Sequence, residues 1–303
     1  MVTRILLDTD IGTDVDDCLA LALILASPEL QLEGITCVYG NVNLRARIVQ
    51  KLLQLRGITG VPVAIGARQP LLAMKAVYWE GHEGQGILED GDHLPEPVDE
   101  FAPDFIIRTV MENPGEIHLV AIGPLTNIAL ALVKEPRLAQ NIAHLTVMGG
   151  VIRGMNRLDL PYAEHNIRCD PEAAHLVFAS GMPITFVPLD ITTQVRVRVD
   201  GLARIQQAGT LFHQAVAQQL ANYPRFQAQG WTALHDPLAI ATIIDPTLVH
   251  AQSVHMDVEI GGHWSTGATW ARLLHPGEES STKLVTSVEI DRFESFFVER
   301  VAR

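Results

Sequence analysis

Residues 6–26 of the chain read LLDTDIGTDVDDCLALALILA, and this stretch carries the strongest signal about the fold. A short apolar run ends in a group of aspartates, and a longer apolar segment follows them directly. Elements that are apolar on every side are typically buried on both faces, so we predict a buried strand, a polar turn and a buried helix. The aspartates then lie at the carboxyl end of the strand, where open parallel sheets bind their ligands.

The alternation of short apolar runs with longer helical patterns continues along the chain. The predicted strands are residues 5–7, 34–39, 61–65, 117–122, 142–148 and 184–189, and the predicted helices are 16–26, 44–55, 101–112, 125–133 and 171–180. Such alternation indicates βαβ units, so we predict an α/β fold with an open, mainly parallel central sheet and flanking helices. From about residue 190 the pattern changes to helices near 202–220 and 237–244, strands near 254–260 and 283–290, and a final helix. We therefore predict one domain over residues 1–303 with a C-terminal elaboration.

The composition argues against several classes of protein. The chain has 303 residues and a formal net charge of −13, which disfavours nucleic-acid binding through a basic surface. Its longest apolar run, residues 18–26, is too short to cross a membrane. Cys18, Cys37 and Cys169 have no metal-site spacing, and no signal-peptide pattern is present, so we expect a cytoplasmic protein. The expected partner is a small molecule or a cation, with neither nucleic acid nor membrane.

The residues from Asp8 to Asp17 include five carboxylates. The helix macrodipole explains one or two acids at a helix N-terminus, but five at close range repel one another unless a cation neutralises them. Oxygen ligands without cysteine indicate a hard cation, Ca²⁺ or Mg²⁺. An EF-hand fits poorly, because its loop requires glycine and glutamate where Thr13 and Leu19 stand. A second interpretation makes Asp8 the nucleophile and Asp10 the acid–base of a haloacid-dehalogenase-like magnesium phosphatase.

Five segments in a fixed order decide against the phosphatase. They are residues 7–21 (LDTDIGTDVDDCLAL), 39–42 (YGNV), 123–127 (GPLTN), 163–174 (AEHNIRCDPEAA) and 235–239 (HDPLA). Together they resemble the signatures of the inosine-uridine-preferring nucleoside hydrolase family. The resemblance implies a Rossmann-like core without the dinucleotide fingerprint, and hydrolysis of the N-glycosidic bond of ribonucleosides to free base and ribose. It also implies bound calcium, a homodimer or homotetramer, and a role in nucleoside salvage or catabolism.

The resemblance also implies roles for particular residues. Asp10 would bind calcium and, as general base, activate a metal-bound water. Further calcium ligands would be Asp17, Asp236 and the backbone carbonyl of Ile122. The residues that would hold the ribose hydroxyls are Asp16, Asn41, Glu164 and Asn166. His235 would lie near the base and protonate it as it leaves. These residue types suit the chemistry, because carboxylates stabilise the positive charge of an oxocarbenium-like transition state.

Several positions depart from the family pattern and stay open. The acidic turn is longer than the shorter family form, so Asp14 is an alternative to Asp16 or Asp17. Asn156 and Asp159 are candidates for the asparagine that precedes the Pro-x-Ala-Glu stretch in the family. The glycine-rich segment 79–86 resembles a loop that closes over the substrate. It carries His82, whereas family members commonly have histidine where Glu80 stands.

The region before His235 is the expected site of base recognition. The candidate residues there are Asn222, Tyr223, Phe226, Gln227 and Trp231. Their aromatic rings fit either stacking on a nucleobase or packing in the core. Asn41 also fits a turn, and Asn127 and His235 also fit helix caps. A third interpretation of the whole chain is a non-catalytic calcium- or ribose-binding homologue.

Overall fold

The computed structural model describes residues 2–72, 77–78, 82–152 and 158–303. The strands are β1 (Thr3–Thr9), β2 (Leu30–Cys37), β3 (Val63–Ile65), β4 (Ile117–Ala121), β5 (His144–Met148), β6 (Ile184–Val187), β7 (Arg196–Arg198), β8 (Trp231–Ala233), β9 (Val249–Val258), β10 (Thr269–Leu273) and β11 (Thr282–Val288). The helices are α1 (Asp16–Leu25), α2 (Val42–Arg56), α3 (Ala102–Glu112), α4 (Thr126–Lys134), α5 (Leu138–Asn141), α6 (His165–Cys169), α7 (Pro171–Ala179), α8 (Leu189–Thr192), α9 (Val199–Gln207), α10 (Leu211–Asn222), α11 (Pro224–Gln229), α12 (His235–Ile244) and α13 (Ile290–Val301).

The central sheet has the order β10-β9-β11-β6-β5-β4-β1-β2-β3. The strands from β3 to β11 in this order run parallel, whereas β9 is antiparallel to β11 and β10 is antiparallel to β9. Strands β7 and β8 form a separate antiparallel pair. The prediction of an α/β fold with an open, mainly parallel sheet and flanking helices is confirmed.

The first strand and the first helix occupy the centre of the molecule. Leu6 and Leu7 on β1 are buried, and α1 is buried along nearly its whole length, including its first two residues, Asp16 and Asp17. A helix that is apolar on every side can exist in water only inside the core, and α1 satisfies this requirement by packing against α12. This packing brings the acidic N-terminus of α1 beside a segment from much later in the chain.

The chain changes direction across the sheet at β1. After β1 it continues outward through β2 and β3, and it then returns to the other side of β1 as β4. In open parallel sheets such a reversal leaves a crevice at the carboxyl ends of the strands. Asp10 follows β1 and Ile122 follows β4, so both lie at this crevice.

The last third of the chain extends the sheet and also forms the β7–β8 pair. Strand β10 was not predicted, because Trp270 and Leu273 are exposed on this edge strand and its pattern lacks a buried run. Among the described residues, no helix combines the length and the apolar character that spanning a bilayer requires.

Candidate active site

A cavity of about 670 Å³ opens at the carboxyl ends of β1, β4 and β5. It brings together residues that are far apart in the sequence. The residues singled out from the sequence that line it are Asp10, Asp14, Asp16, Asp17, His82, Ile122, Asp159, Glu164, Asn166, Tyr223, His235 and Asp236.

Three buried carboxylates meet at this cavity. Asp16 and Asp17 begin α1, Asp236 lies in the first turn of α12, and one oxygen from each lies within 4.8 Å of the others. Burial, and then repulsion from neighbouring aspartates, raises the pKa of Asp16 and of Asp236 well above the usual carboxyl range. Burial and Asp10 do the same to the pKa of Asp17. A donor set of buried carboxylate oxygens fits a hard divalent cation, which would relieve this repulsion.

The backbone around Asp10 is tightly packed. Gly123, in the turn after β4, approaches it so closely that a Cβ on Gly123 would lie 2.8 Å from Asp10 Oδ1 and 3.0 Å from Asp10 N. On another side, Arg45 Nη2 lies 3.9 Å from Asp10 Oδ2. The glycine of the Gly-Pro-Leu-Thr-Asn segment therefore has a steric reason, since any larger residue would displace Asp10.

Glu164 and Asn166 lie on the wall of the cavity that the start of α6 forms. The Glu164 carboxylate caps α6 by accepting from the backbone N–H groups of Asn166 (2.9 Å) and Ile167 (3.2 Å), and it also accepts from Gly150 N (2.8 Å). Asn166 Nδ2 donates to the carbonyl of Ile122 (3.0 Å). Both side chains are thus fixed by backbone contacts, and each keeps acceptor capacity for a ligand in the cavity.

His235 begins α12 beside this wall. Its Nδ1 lies 2.7 Å from the hydroxyl of Thr192. Burial, with a smaller effect of Arg225, lowers the pKa of His235 to about 4, and nearby Asp14 acts in the opposite direction. The imidazole of the free protein is therefore neutral at pH 7.

Asn41 and Trp231, two of the substrate-binding residues proposed from the sequence, do not line this cavity. Asn41 caps α2, where its Oδ1 accepts from Leu44 N (3.2 Å), and it borders a separate surface depression. Its position agrees with the turn-and-cap interpretation, and ribose binding by Asn41 stays a prediction. Trp231 lies on β8 beneath the guanidinium of Arg196, whose Cζ is 3.8 Å from the centroid of the Trp231 ring, so one face of the ring is already occupied. Asn156 and Glu80 lie outside the described residues.

The contacts of the acidic turn distinguish Asp14 from Asp16 and Asp17. Asp14 Oδ2 accepts a hydrogen bond from the hydroxyl of Tyr223 (2.7 Å), and Asp14 is not a member of the three-carboxylate group. The structure thus groups Asp16 and Asp17, and not Asp14, with Asp236. Asp16 is thus one of the carboxylates that could hold a cation, whereas the family resemblance implies that it binds the ribose.

Sequence reasoning missed a support that reaches the site from the sheet edge. The hydroxyl of Thr269, at the start of β10, accepts from Val151 N (2.9 Å) and donates to Val151 O (2.7 Å). Gly150, the residue before Val151, donates its N–H to the Glu164 carboxylate. Nothing in a single threonine signals such a contact, because the two segments meet only in the folded protein.

The position of Asp8 disagrees with the phosphatase interpretation. Its side chain is fully buried, one oxygen accepts from the Thr36 hydroxyl and from Asn127 Nδ2 (2.8 Å), and it does not line the cavity. Burial raises the pKa of Asp8 to about 7. A phosphoryl group could not reach this carboxylate without unpacking the core. Asn127 thus anchors Asp8 instead of capping the following helix.

Known proteins resemble this chain over its full length. Residues 5–295 match the family described as inosine-uridine preferring nucleoside hydrolase. The inosine-uridine preferring nucleoside hydrolase of Crithidia fasciculata is 34% identical, with 100% of this chain and 98% of that protein covered. The pyrimidine-specific ribonucleoside hydrolase RihA of Enterobacter sp. is also 34% identical, with 100% and 99% covered.

A solved structure agrees with these sequences. The purine-preferring ribonucleoside hydrolase from Gardnerella vaginalis superimposes with a TM-score of 0.88 at 32% identity, and the match covers 99% of this chain and 98% of that one. The phosphatase and the non-catalytic interpretations are not favoured by these matches. The chain belongs to the inosine-uridine preferring nucleoside hydrolase family, and it is a hydrolase that acts on N-glycosyl bonds.

Proposed function

We propose that this protein hydrolyses ribonucleosides to free base and ribose with calcium held by Asp10, Asp17, Asp236 and the carbonyl of Ile122. The observation that carries the proposal is the group of buried carboxylates from α1 and α12, which lies beside Asp10 in the main cavity. Such a group is unfavourable without a cation, and its oxygen donors fit calcium better than a softer metal.

The aspartates would activate the attacking water and stabilise the charge that develops on the ribose. Calcium bound there would lower the pKa of a water molecule and fix its direction of attack. Asp10, wedged between Gly123 and Arg45, is held in one orientation and is the residue we propose as the general base. The remaining carboxylate charge stabilises the positive charge that develops on the ribose.

We propose that Glu164 and Asn166 position the ribose, together with Asp16. Glu164 and Asn166 are buried, line the cavity and are rigidly held by α6 and by the turn after β4. A vicinal diol needs several fixed acceptors and donors, and carboxylate and amide groups supply both. Fixed partners hold the substrate near its reactive geometry, which is where much of the rate acceleration of an enzyme originates.

We propose that His235 contacts the leaving base. It lines the cavity, and Thr192 fixes its ring through Nδ1. Substituting His235→Ala should therefore slow natural nucleosides more than a nitrophenyl riboside, whose leaving group needs no assistance. Equal slowing of both substrates would show that His235 does not assist departure of the base.

The preferred base cannot be transferred from the relatives. Proteins of 32–34% identity are described as inosine-uridine preferring, pyrimidine-specific and purine-preferring. We therefore propose the ribonucleoside class alone, and a homodimer or homotetramer and a role in nucleoside salvage stay predictions.

The deciding experiment is product analysis. Purified protein is incubated with calcium and, in turn, inosine, adenosine, guanosine, uridine and cytidine, and the products are separated by chromatography. The proposal requires free base and ribose from at least one nucleoside, and loss of that activity on chelation with recovery on adding calcium. Base release that is unaffected by a strong chelator would refute the calcium site, and no release from any nucleoside would refute the substrate class.

A further inference from the structure

Arg45 is a charged residue in the interior of the molecule. It lies in the first turn of α2, its side chain has 0% exposure, and it is among the largest fully buried side chains in the described part of the chain. A guanidinium stays protonated in any protein environment, so its burial is tolerated only where acceptors and negative charge surround it. The arrangement of those acceptors shows what the charge holds in place.

Two of the acceptors belong to the turn that carries the catalytic aspartates. Arg45 Nη1 donates to the carbonyl of Ile11 (2.8 Å), and Nη2 donates to the hydroxyl of Thr13 (3.3 Å). These residues flank Gly12, whose φ of +119° only glycine adopts readily, so the turn has an unusual path that needs external support. Arg45 supplies this support directly behind Asp10.

Thr13 links the turn after β1 to a second segment, residues 82–83. Its hydroxyl donates to Glu83 Oε1 (3.1 Å), and its carbonyl lies 2.9 Å from Nε2 of His82, which lines the cavity. The hydroxyl therefore accepts from Arg45 and donates to Glu83 in one chain of hydrogen bonds. The turn after β1 and the segment at 82–83 are held in register by this chain.

The third acceptor lies in a strained part of the backbone. Arg45 Nε donates to the carbonyl of Tyr39 (2.7 Å), and Tyr39 is the one non-glycine residue with positive φ (63°) in the described ranges. Non-glycine residues in this region are strained and persist only where the surroundings fix them. The Tyr39 ring is in edge-to-face contact with His165, a cavity residue, at 6.4 Å between centroids.

We propose that Arg45 is a positioning residue of the active site, whose guanidinium fixes the turn from Asp10 to Asp14 so that Asp10 and the carboxylates of α1 are arranged for calcium. This inference rests on the proposed calcium site. Arg45 does not line the cavity and is not proposed to touch the substrate. It acts on the metal through the geometry of the turn.

The electrostatic effect of Arg45 has the opposite sign, which makes the inference testable. A fixed positive charge 3.9 Å from Asp10 repels a second cation placed among the aspartates. If Arg45 acted only through its charge, its removal would strengthen calcium binding. If it acts by holding the turn, its removal weakens calcium binding, because the carboxylates lose their arrangement.

The test measures calcium binding without substrate. Metal-stripped wild type, Arg45→Met and Arg45→Lys are titrated with calcium, and the apparent Kd is taken from the rise in Tm and from calorimetry. Arg56→Met is the matched control, because Arg56 ends the same helix and packs on Phe212 away from the site. We expect Arg45→Met to raise the calcium Kd at least about tenfold, Arg45→Lys to raise it less, and the control to stay within about twofold.

The outcomes separate this inference from the proposed function. Calcium binding by Arg45→Met that equals or exceeds that of wild type would overturn the positioning role. If Arg45→Met does not fold, Arg45→Lys and Thr13→Val take its place, because each removes part of the hydrogen bonding, and an unchanged Kd in both would overturn the role. A wild-type protein whose Tm and calorimetric signal do not respond to calcium would refute the calcium site itself, and this inference with it.

Discussion

Substituting Asp236→Asn should make the metal-free protein more stable while it destroys the response to calcium. In the metal-free protein, Asp236 lies within 4.8 Å of Asp16 and Asp17. Two unit charges at that distance repel by about 3.5 kcal/mol at an effective dielectric constant of about 20. Asparagine keeps the shape of the side chain and removes this repulsion.

Protonation limits the free-energy cost of the Asp236 carboxylate in the folded protein. Its pKa is raised well above 3.8 in the folded protein, so the folded state binds the proton more tightly than the unfolded state. Asp236 therefore lowers the free energy of unfolding progressively as pH rises from about 3.8 toward the folded pKa. At pH 7 the penalty cannot exceed about 4.4 kcal/mol, which is 1.36 kcal/mol for each of the pH units above 3.8. We expect Asp236→Asn to raise the free energy of unfolding by about 1–4 kcal/mol in chelator.

The assay is denaturant unfolding at pH 7 with excess chelator and with millimolar calcium. Wild type should gain stability from calcium, whereas Asp236→Asn should gain little, so the order of the two proteins reverses. Asp245→Asn is the control, because Asp245 ends the same helix and hydrogen bonds to Thr247 lower its pKa, so it carries no such repulsion. A variant less stable than wild type in chelator would refute the argument that Asp16, Asp17 and Asp236 destabilise the metal-free protein by mutual repulsion.

Three further predictions follow from the site and the sheet. Asp10→Asn should lower kcat by about 10²–10⁴-fold with folding preserved, and a near-normal kcat would remove Asp10 as the base. Gly123→Ala should lower kcat by about 100-fold because its Cβ would meet Asp10 at 2.8 Å, and an unchanged kcat would show that the turn yields freely. Burial, then His144, lowers the pKa of His118 to about 3, so the protein should lose stability as pH falls below about 6.5 while the unfolded chain takes up the proton. His118→Gln should lose about 2 kcal/mol less than wild type between pH 7 and pH 5 in denaturant unfolding, and parallel losses would contradict the shifted pKa.

The sequence predicts the centre of the fold well because periodicity and burial act locally there. The apolar run on each side of the aspartates is long enough to indicate β1 and α1, and the structure has both within two residues of the predicted bounds. The motif spacing also indicates which residues meet at the cavity, since carboxyl ends of parallel strands share one edge.

What the sequence could not predict depends on the direction of single side chains. Asn41 follows the Gly40 turn as the motif requires, but its amide turns back to cap α2. Arg45 follows it on the same helix, and a charged helical residue is normally expected in solvent. Trp231 lies near His235 in sequence, yet the β7–β8 pairing places it under Arg196. These contacts arise from tertiary packing, which periodicity does not encode.

The two hydrogen bonds between Thr269 and Val151 have a consequence for protein engineering. The antiparallel hairpin at the sheet edge resembles an appendage that could be shortened or exchanged between relatives, since it lies several strands away from Asp10. Through the Thr269 hydroxyl, however, it braces the backbone beside Gly150 and thus the carboxylate of Glu164. A chimera that imports a hairpin without this threonine from another hydrolase would alter the cavity wall at Glu164 without changing a single residue of that wall. A hairpin deletion intended to simplify the molecule would therefore also remove a support of the cavity wall.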